Sequence, residues 1–420
     1  MSRVGLIFRP VPRTGVIYVM TEAAALGFAY GHPEWANLGQ GAPETGALPG
    51  SIPRLRSIEL DDHTHEYAPV AGLWELREAV ADLYNQRYRR GMPSRYSAEN
   101  VAIAAGGRVS LTRVATSLGS VHLGHLLPDY TAYEELLEVF RAFVPLPLLL
   151  HEGDGFRLDP ARLRETIIGV GLGAILLSNP SNPTGHLIAG DELATWVGCA
   201  REFGCALIVD EFYSHYVYGR GEGATVSTAA FVEDVNDDPV VIVDGLTKNW
   251  RYPGLRLSWT VGPREVIDRV ASAGSFLDGG PPHALQRAVL PLLDPAQASA
   301  EAVAIQRAFA AKRELMLGRL AAMGIGVPCP PEGAFYCFAD VSGLPGSLST
   351  GMGFFRAALG ERVICVPGEF FDVDPGKRRS HIPSRLRAFV RLSFGPSFAE
   401  VEAGLDRLAA LVDRHRRGAT

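Results

Sequence analysis

The chain has 420 residues, of which 47% are hydrophobic and 20% charged, and its formal net charge is −6. That balance describes a globular protein with one sizeable domain and a smaller one, and it gives no support to a nucleic-acid or other polyanion partner. Five scattered cysteines, Cys199, Cys205, Cys329, Cys337 and Cys365, lack CxxC spacing and point to free thiols in a reducing, cytoplasmic compartment rather than to disulfides or zinc.

At the N-terminus, MSRVGLIFRPVPRTG has a short apolar run broken by arginines and prolines and does not read as a signal peptide. GLWELREAVADLYNQRYRRG (72–91) places Leu73, Leu76, Val80 and Leu83 on one face, which predicts a helix stopping at Gly91. Strand-like runs follow at 101–105, 120–127, 173–178, 206–210, 240–244 and 257–262, with helical segments between most of them. This alternation predicts an α/β fold, a mostly parallel central sheet with helices on both faces. The richest apolar stretch, FVPLPLLL (143–150), carries two prolines and is too short to span a membrane. After residue 285 the texture changes. A long helical run (300–324) leads into short strands in AFYCF, VICV and FVRLSF, and Ser397 with Glu400 forms a capping-box pattern opening a final helix. The expected organisation is a large domain at 60–285 and a small α+β domain made of 1–59 and 286–420.

Four stretches carry candidate chemistry. In SNPSNPTG (178–185) two Asn-Pro pairs leave a buried strand, and each proline pushes the residue before it out of helical geometry. That exit can hold an asparagine rigidly at the carboxyl end of a strand, where open α/β sheets bind ligands. ALIVDEFYSHY (206–216) ends an apolar strand in Asp210, a carboxylate that is costly to bury unless it meets a cation. VVIVDGLTKNWRYPGLRLSW (240–259) sets Lys248 just beyond another buried strand, and AAGGRVSL (104–111) runs a strand through Gly106, Gly107 and Arg108 into a helix start suited to phosphate. Together they would hold a charged, phosphorylated aromatic cofactor joined to the lysine.

In this order, NLGQGAP (37–43), YAPVAGLWELR (67–77), AAGGR (104–108), PDYTAY (128–133), SNPSNPTG, DEFY (210–213), LTK with PGLR (246–256), PEGAFY (331–336) and FVRLSF (389–394) run nearly the length of the chain. The series resembles the fold-type I, aspartate aminotransferase-like class I/II enzymes that use pyridoxal 5′-phosphate (PLP). The resemblance implies that Lys248 carries the cofactor as a Schiff base and shuttles the substrate Cα proton. It implies that Asp210 pairs with the pyridine nitrogen, that Asn182 and Tyr213 reach the phenolic oxygen, and that Tyr130 stacks on the ring. Gly106, Gly107, Arg108, Thr247 and Arg256 would hold the phosphate, with Tyr67 reaching it from the neighbouring subunit of a homodimer. Arg391 would grip the α-carboxylate of an amino-acid substrate, helped by Gly41 and Asn182.

The chain also departs from the family pattern. Gly245 stands where many relatives have a phosphate-binding serine, and NWRY (249–252) and HTHEY (63–67) bring aromatic and basic residues that either line an unusual pocket or decorate a surface. His63, His65, His122 and His125 lack further ligands nearby and read as structural or surface histidines, so no metal is expected. DPGKRRS (374–380) lacks the first glycine of a P-loop and reads as a basic surface loop. The expected activity is transamination of an L-α-amino acid. The alternative is a non-transaminating enzyme of the same fold that performs elimination, replacement or ring closure on an activated amino acid such as S-adenosylmethionine. A DNA-binding regulator is disfavoured because no basic patch stands out.

Overall fold

The computed structural model describes residue 11, residues 15–140 and residues 142–418. The stretch that does not read as a signal peptide, and with it the start of the N-terminal arm, therefore lies almost wholly outside the described residues. In chain order the strands are β1 (Ala36–Asn37), β2 (Val101–Ala104), β3 (His122–Leu127), β4 (Val144–Leu149), β5 (Leu172–Ser178) and β6 (Ala206–Asp210). They continue with β7 (Val240–Gly245), β8 (Ser258–Val261), β9 (Tyr336–Asp340), β10 (Val363–Ile364), β11 (Val366–Pro367) and β12 (Phe389–Ser393).

Strands β2 to β8 make one seven-stranded sheet in the order β2-β8-β7-β6-β5-β3-β4. β8 runs antiparallel to both neighbours, and β7, β6, β5, β3 and β4 are mutually parallel. The central strands read as unbroken apolar runs because both of their faces are covered; β7 is buried at every position. β9, β12 and β11 form a separate antiparallel sheet, and β1 pairs in parallel with β10, so the N-terminal arm joins the C-terminal part.

Strand β4 had no counterpart among the expected strands. It contains Pro145 and Pro147 and lies at the sheet edge, where a strand tolerates missing N–H groups. The helix expected at 72–91 spans Trp74–Tyr88 and buries Leu76, Val80 and Leu83. The long C-terminal helix begins earlier than its periodicity suggests, at Pro295. The Asp294 side chain accepts hydrogen bonds from Ala296 N and Gln297 N, both at 3.0 Å, and proline occupies the first helical position, so the start is fixed by its cap.

The last helix, Phe398–Gly418, keeps half of its expected capping box. Glu400 N donates to Ser397 Oγ at 3.3 Å, but the Glu400 carboxylate accepts from Asn37 N at 2.9 Å instead of reaching back. The helix start is thereby tied to β1. Among the described residues no helix is long and apolar enough to cross a membrane.

Candidate active site

β2, β3, β5, β6 and β7 point their carboxyl ends the same way, and the segments leaving them converge on one cavity of about 420 Å³. Its wall includes Gly41, Gly107, Arg108, Tyr130, Asn182, Asp210, Tyr213, Thr247, Lys248, Arg256 and Arg391. These residues come from segments spread over some 350 positions of sequence. Topology, not sequence proximity, brings them together.

Lys248 sits in a single helical turn, Leu246–Asn249, that begins where β7 ends. Gly245 permits that immediate turn. A Cβ there would lie 2.6 Å from both Leu257 O and Ser258 Cα, backbone atoms of the neighbouring segment, so a serine side chain has no room. The departure from the family pattern is therefore steric. The next hydroxyl along, Thr247 Oγ1, is buried and without a hydrogen-bond partner, although its residue lines the cavity.

Asp210, 6% exposed, ends β6 directly opposite Ser178 of β5. Its carboxylate accepts from Tyr133 Oη at 3.0 Å and from Phe212 N at 3.3 Å. Burial raises its pKa to about 6, and the hydrogen bonds only partly offset this. Lys248 is pushed the other way, to about 7, first by burial and then by the Arg391 and Arg256 charges. Its ammonium group donates to the backbone carbonyl of Gly41. Both pKa values thus lie near neutrality: at pH 7 a substantial share of Lys248 is the neutral amine while Asp210 remains mostly a carboxylate, an arrangement suited to proton transfer at the lysine.

The Asn-Pro exit resolves into two tasks. Asn179 is a turn residue: it exchanges hydrogen bonds with Ile188, Nδ2 to Ile188 O and Ile188 N to Oδ1, each at 2.9 Å. Asn182 faces the cavity, its backbone N held by Ser178 Oγ at 3.0 Å. Its Oδ1 accepts from Arg391 Nη1 at 2.8 Å, which leaves the Nδ2 donor free to face a ligand. Arg391, on β12 and 1% exposed, also donates through Nη2 to Gly39 O at 2.6 Å. Its Nε is buried without a partner, and its guanidinium lies 4.3 Å from the Tyr336 ring centre.

At the opposite end, Gly106 and Gly107 open the helix Gly107–Ser117, whose first N–H groups lack partners inside the helix. Neither glycine could carry a side chain. A Cβ on Gly106 would lie 2.4 Å from Arg256 Nη2, and one on Gly107 would lie 2.5 Å from the Phe212 ring. Gly106 thus seats Arg256 rather than lining the cavity. Arg256 holds a left-handed backbone conformation (φ 51°), a strain of about 1 kcal/mol that the loop maintains while the side chain faces the cavity. Arg108 Nη2 donates to Tyr130 Oη at 3.2 Å.

Tyr67 is not part of this cavity; it is 96% exposed. NWRY supplies no wall of this cavity, and most of it turns inward. Trp250 is 1% exposed and donates through Nε1 to Leu292 O at 2.9 Å, and the buried Arg251 pairs with Glu301 at 2.8 Å. Sequence reasoning missed Tyr133 and Tyr336. Tyr336 meets the Tyr213 hydroxyl at 2.7 Å, and PEGAFY was the signal that could have singled it out. The described residues hold no group of three or more His, Cys, Asp or Glu able to bind a metal.

The donor set fits a phosphorylated pyridine aldehyde. A helix start, two arginines and the unpartnered Thr247 hydroxyl suit the phosphate, Asp210 suits a protonated ring nitrogen, and Lys248 suits the aldehyde carbon.

Comparison with known proteins agrees with this arrangement. The profile of the family "Aminotransferase class I and II" matches residues 33–408. The chain is 28% identical over 384 residues to a valine–pyruvate aminotransferase from Mycobacterium tuberculosis, covering 90% of this chain and 91% of that protein. It is 29% identical over 353 residues to an aspartate/prephenate aminotransferase from Thermus thermophilus, covering 83% and 84%. The solved structure of Thermus thermophilus aspartate aminotransferase with maleate superposes with a TM-score of 0.76 at 25% identity, over 98% of this chain and 99% of that one.

Proposed function

The chain belongs to the class I and II aminotransferase family, and from that premise we propose that it moves the amino group of an L-α-amino acid to a 2-oxo acid using the residues gathered in this cavity. Family members use PLP, which supplies an electron sink for the electrons left on the substrate Cα when its proton departs. Lys248 would join the cofactor, and once displaced by substrate its neutral amine would take the Cα proton and return it. The observation carrying this reading is Lys248 itself, poised near pKa 7 in one cavity with Asp210 and Arg391. Asp210, braced by Tyr133, would hold a proton on the ring nitrogen. Asn182 Nδ2 and the Tyr213 hydroxyl would bind the ring oxygen, and Tyr130 would cover the ring face. Gly107, Arg108, Thr247 and Arg256 would hold the phosphate. Arg391, already oriented by Asn182 and Gly39, would grip the substrate α-carboxylate with its fork.

The assembly we propose is a homodimer, in which Tyr67, exposed on its own chain, reaches the partner's phosphate site. The buried free thiols suit a cytoplasmic protein. The division into a large domain at 60–285 and a small one from 1–59 and 286–420 is supported by the confinement of the seven-stranded sheet to residues 101–261.

The test is a half-reaction. Holoenzyme given one amino acid and no acceptor should release its 2-oxo acid in an amount matching the enzyme and then stop until an acceptor is added. Borohydride treatment of the resting enzyme should fix PLP on a peptide containing Lys248. Continuous turnover of the amino acid alone, with release of a leaving group, would instead establish the elimination or replacement reading.

A further inference from the structure

Tyr213 and Tyr336 are both buried in the cavity wall, and each hydroxyl has the other as its one protein hydrogen-bond partner among the described residues. Burial raises the Tyr213 phenol and pushes Tyr336 up to about 12, so both keep their protons at neutral pH. Two neutral hydroxyls share one hydrogen bond in one of two ways. Whichever oxygen accepts has its own proton free to point elsewhere. The surroundings decide which.

The Arg391 guanidinium lies 4.3 Å from the Tyr336 ring centre, and a cation beside a phenol strengthens it as a donor. The Tyr336 oxygen also lies close to Gly41, where an added Cβ would come within 2.4 Å of it, so only glycine at 41 lets the hydroxyl keep this place in the wall. Tyr213 carries no such cation over its ring among the described cation–ring contacts. We propose that Tyr336 is a positioning residue whose hydroxyl donates to Tyr213 and so turns the Tyr213 O–H into the cavity, toward the cofactor's ring oxygen. This rests on the PLP assignment above. It adds that the direction of the Tyr213 proton is set from β9 and is coupled, through the stacked guanidinium, to the residue that receives the substrate carboxylate.

The experiment is a pH titration of the visible absorbance of the bound cofactor, in holoenzyme without substrate. Tyr336→Phe removes one oxygen and keeps the ring beneath Arg391. A ring oxygen that loses a well-aimed donor holds the adjacent proton more tightly, so the midpoint should rise by about 0.4–1 pH unit, the scale of one hydrogen bond. Tyr213→Phe should raise it at least as far. The double variant should match Tyr213→Phe, since Tyr336 acts only through Tyr213. An unmoved midpoint in Tyr336→Phe, or additive shifts in the double variant, would overturn the proposal while leaving the PLP assignment intact. Absence of any titrating band in the unaltered, PLP-loaded protein would remove the assignment itself and this inference with it.

Discussion

The cavity has two walls built on opposite principles. The strand-end wall presents Asp210, Lys248 and Thr247, groups that burial has left under-satisfied: the carboxylate raised to about 6, the amine lowered to about 7, the hydroxyl without a partner. The β12 wall presents Arg391, whose two Nη groups are already held by the neutral acceptors Asn182 Oδ1 and Gly39 O. One wall waits on its ligand, whereas the other has both Nη groups oriented beforehand, with only Nε left without a partner, and lends its fork to whatever carboxylate arrives. A residue on the first wall should therefore show itself in apo-protein stability as well as in activity. A residue on the second should show itself chiefly in substrate recognition.

The largest expected effect is at Lys248. Lys248→Met should lower turnover by about 10³-fold or more, the upper range for loss of a positioned proton shuttle. It should also break the electrostatic tension in the apo protein. With its pKa lowered from 10.5 to about 7, Lys248 leaves the native state binding fewer protons than the unfolded chain across that window. Stability of the unaltered apo protein should therefore rise with pH from 7 to 10 relative to Lys248→Met, as followed by thermal unfolding of both. A gap that stays constant with pH would mean the strand-end wall carries no such tension.

Arg391→Lys comes next. A point charge cannot reproduce a planar fork, so kcat/KM for the amino acid should fall by a factor equivalent to roughly 2–4 kcal/mol, while cofactor binding changes little. Unaltered kinetics would show that the β12 wall does not receive the carboxylate. The smallest effect is at Thr247. Thr247→Val removes a hydroxyl that has no partner in the apo protein, so apo stability should hold or rise slightly. Cofactor affinity should weaken by about 0.5–1.5 kcal/mol, measured by titrating PLP into the apo protein. Equal losses in both measurements would erase the distinction between the walls.

Much of the cavity was legible because several of its members close a recognisable local pattern: an apolar strand ending in Asp210, a Gly-Gly helix start, a proline-fixed exit before Asn182. What stayed hidden is what depends on distant partners. The Tyr213–Tyr336 contact joins residues 123 positions apart, and the Tyr133–Asp210 contact joins residues 77 apart. No local period or turn signal encodes either. Trp250 and Arg251 misled for the opposite reason. Their neighbourhood in sequence is the Lys248 loop, but their side chains turn into the core, where Arg251 meets Glu301. Half of the capping box at Ser397 failed because Asn37, far away in the chain, competes for the Glu400 carboxylate.

The prolines of β4 have a consequence for how these molecules meet one another. Val144 N donates to Val121 O at 2.9 Å and Leu150 N to Leu127 O at 2.8 Å, so even-numbered residues face the sheet and odd-numbered ones face outward. Pro145 and Pro147 are both outward-facing, and neither has an N–H to offer. A strand from another molecule laid along this rim would find two successive donors missing from the ladder it needs. The rim is thus guarded against accretion of further strands, the route by which open sheets grow into aggregates. Two copies of this chain are thereby steered away from pairing by continuation of this ladder.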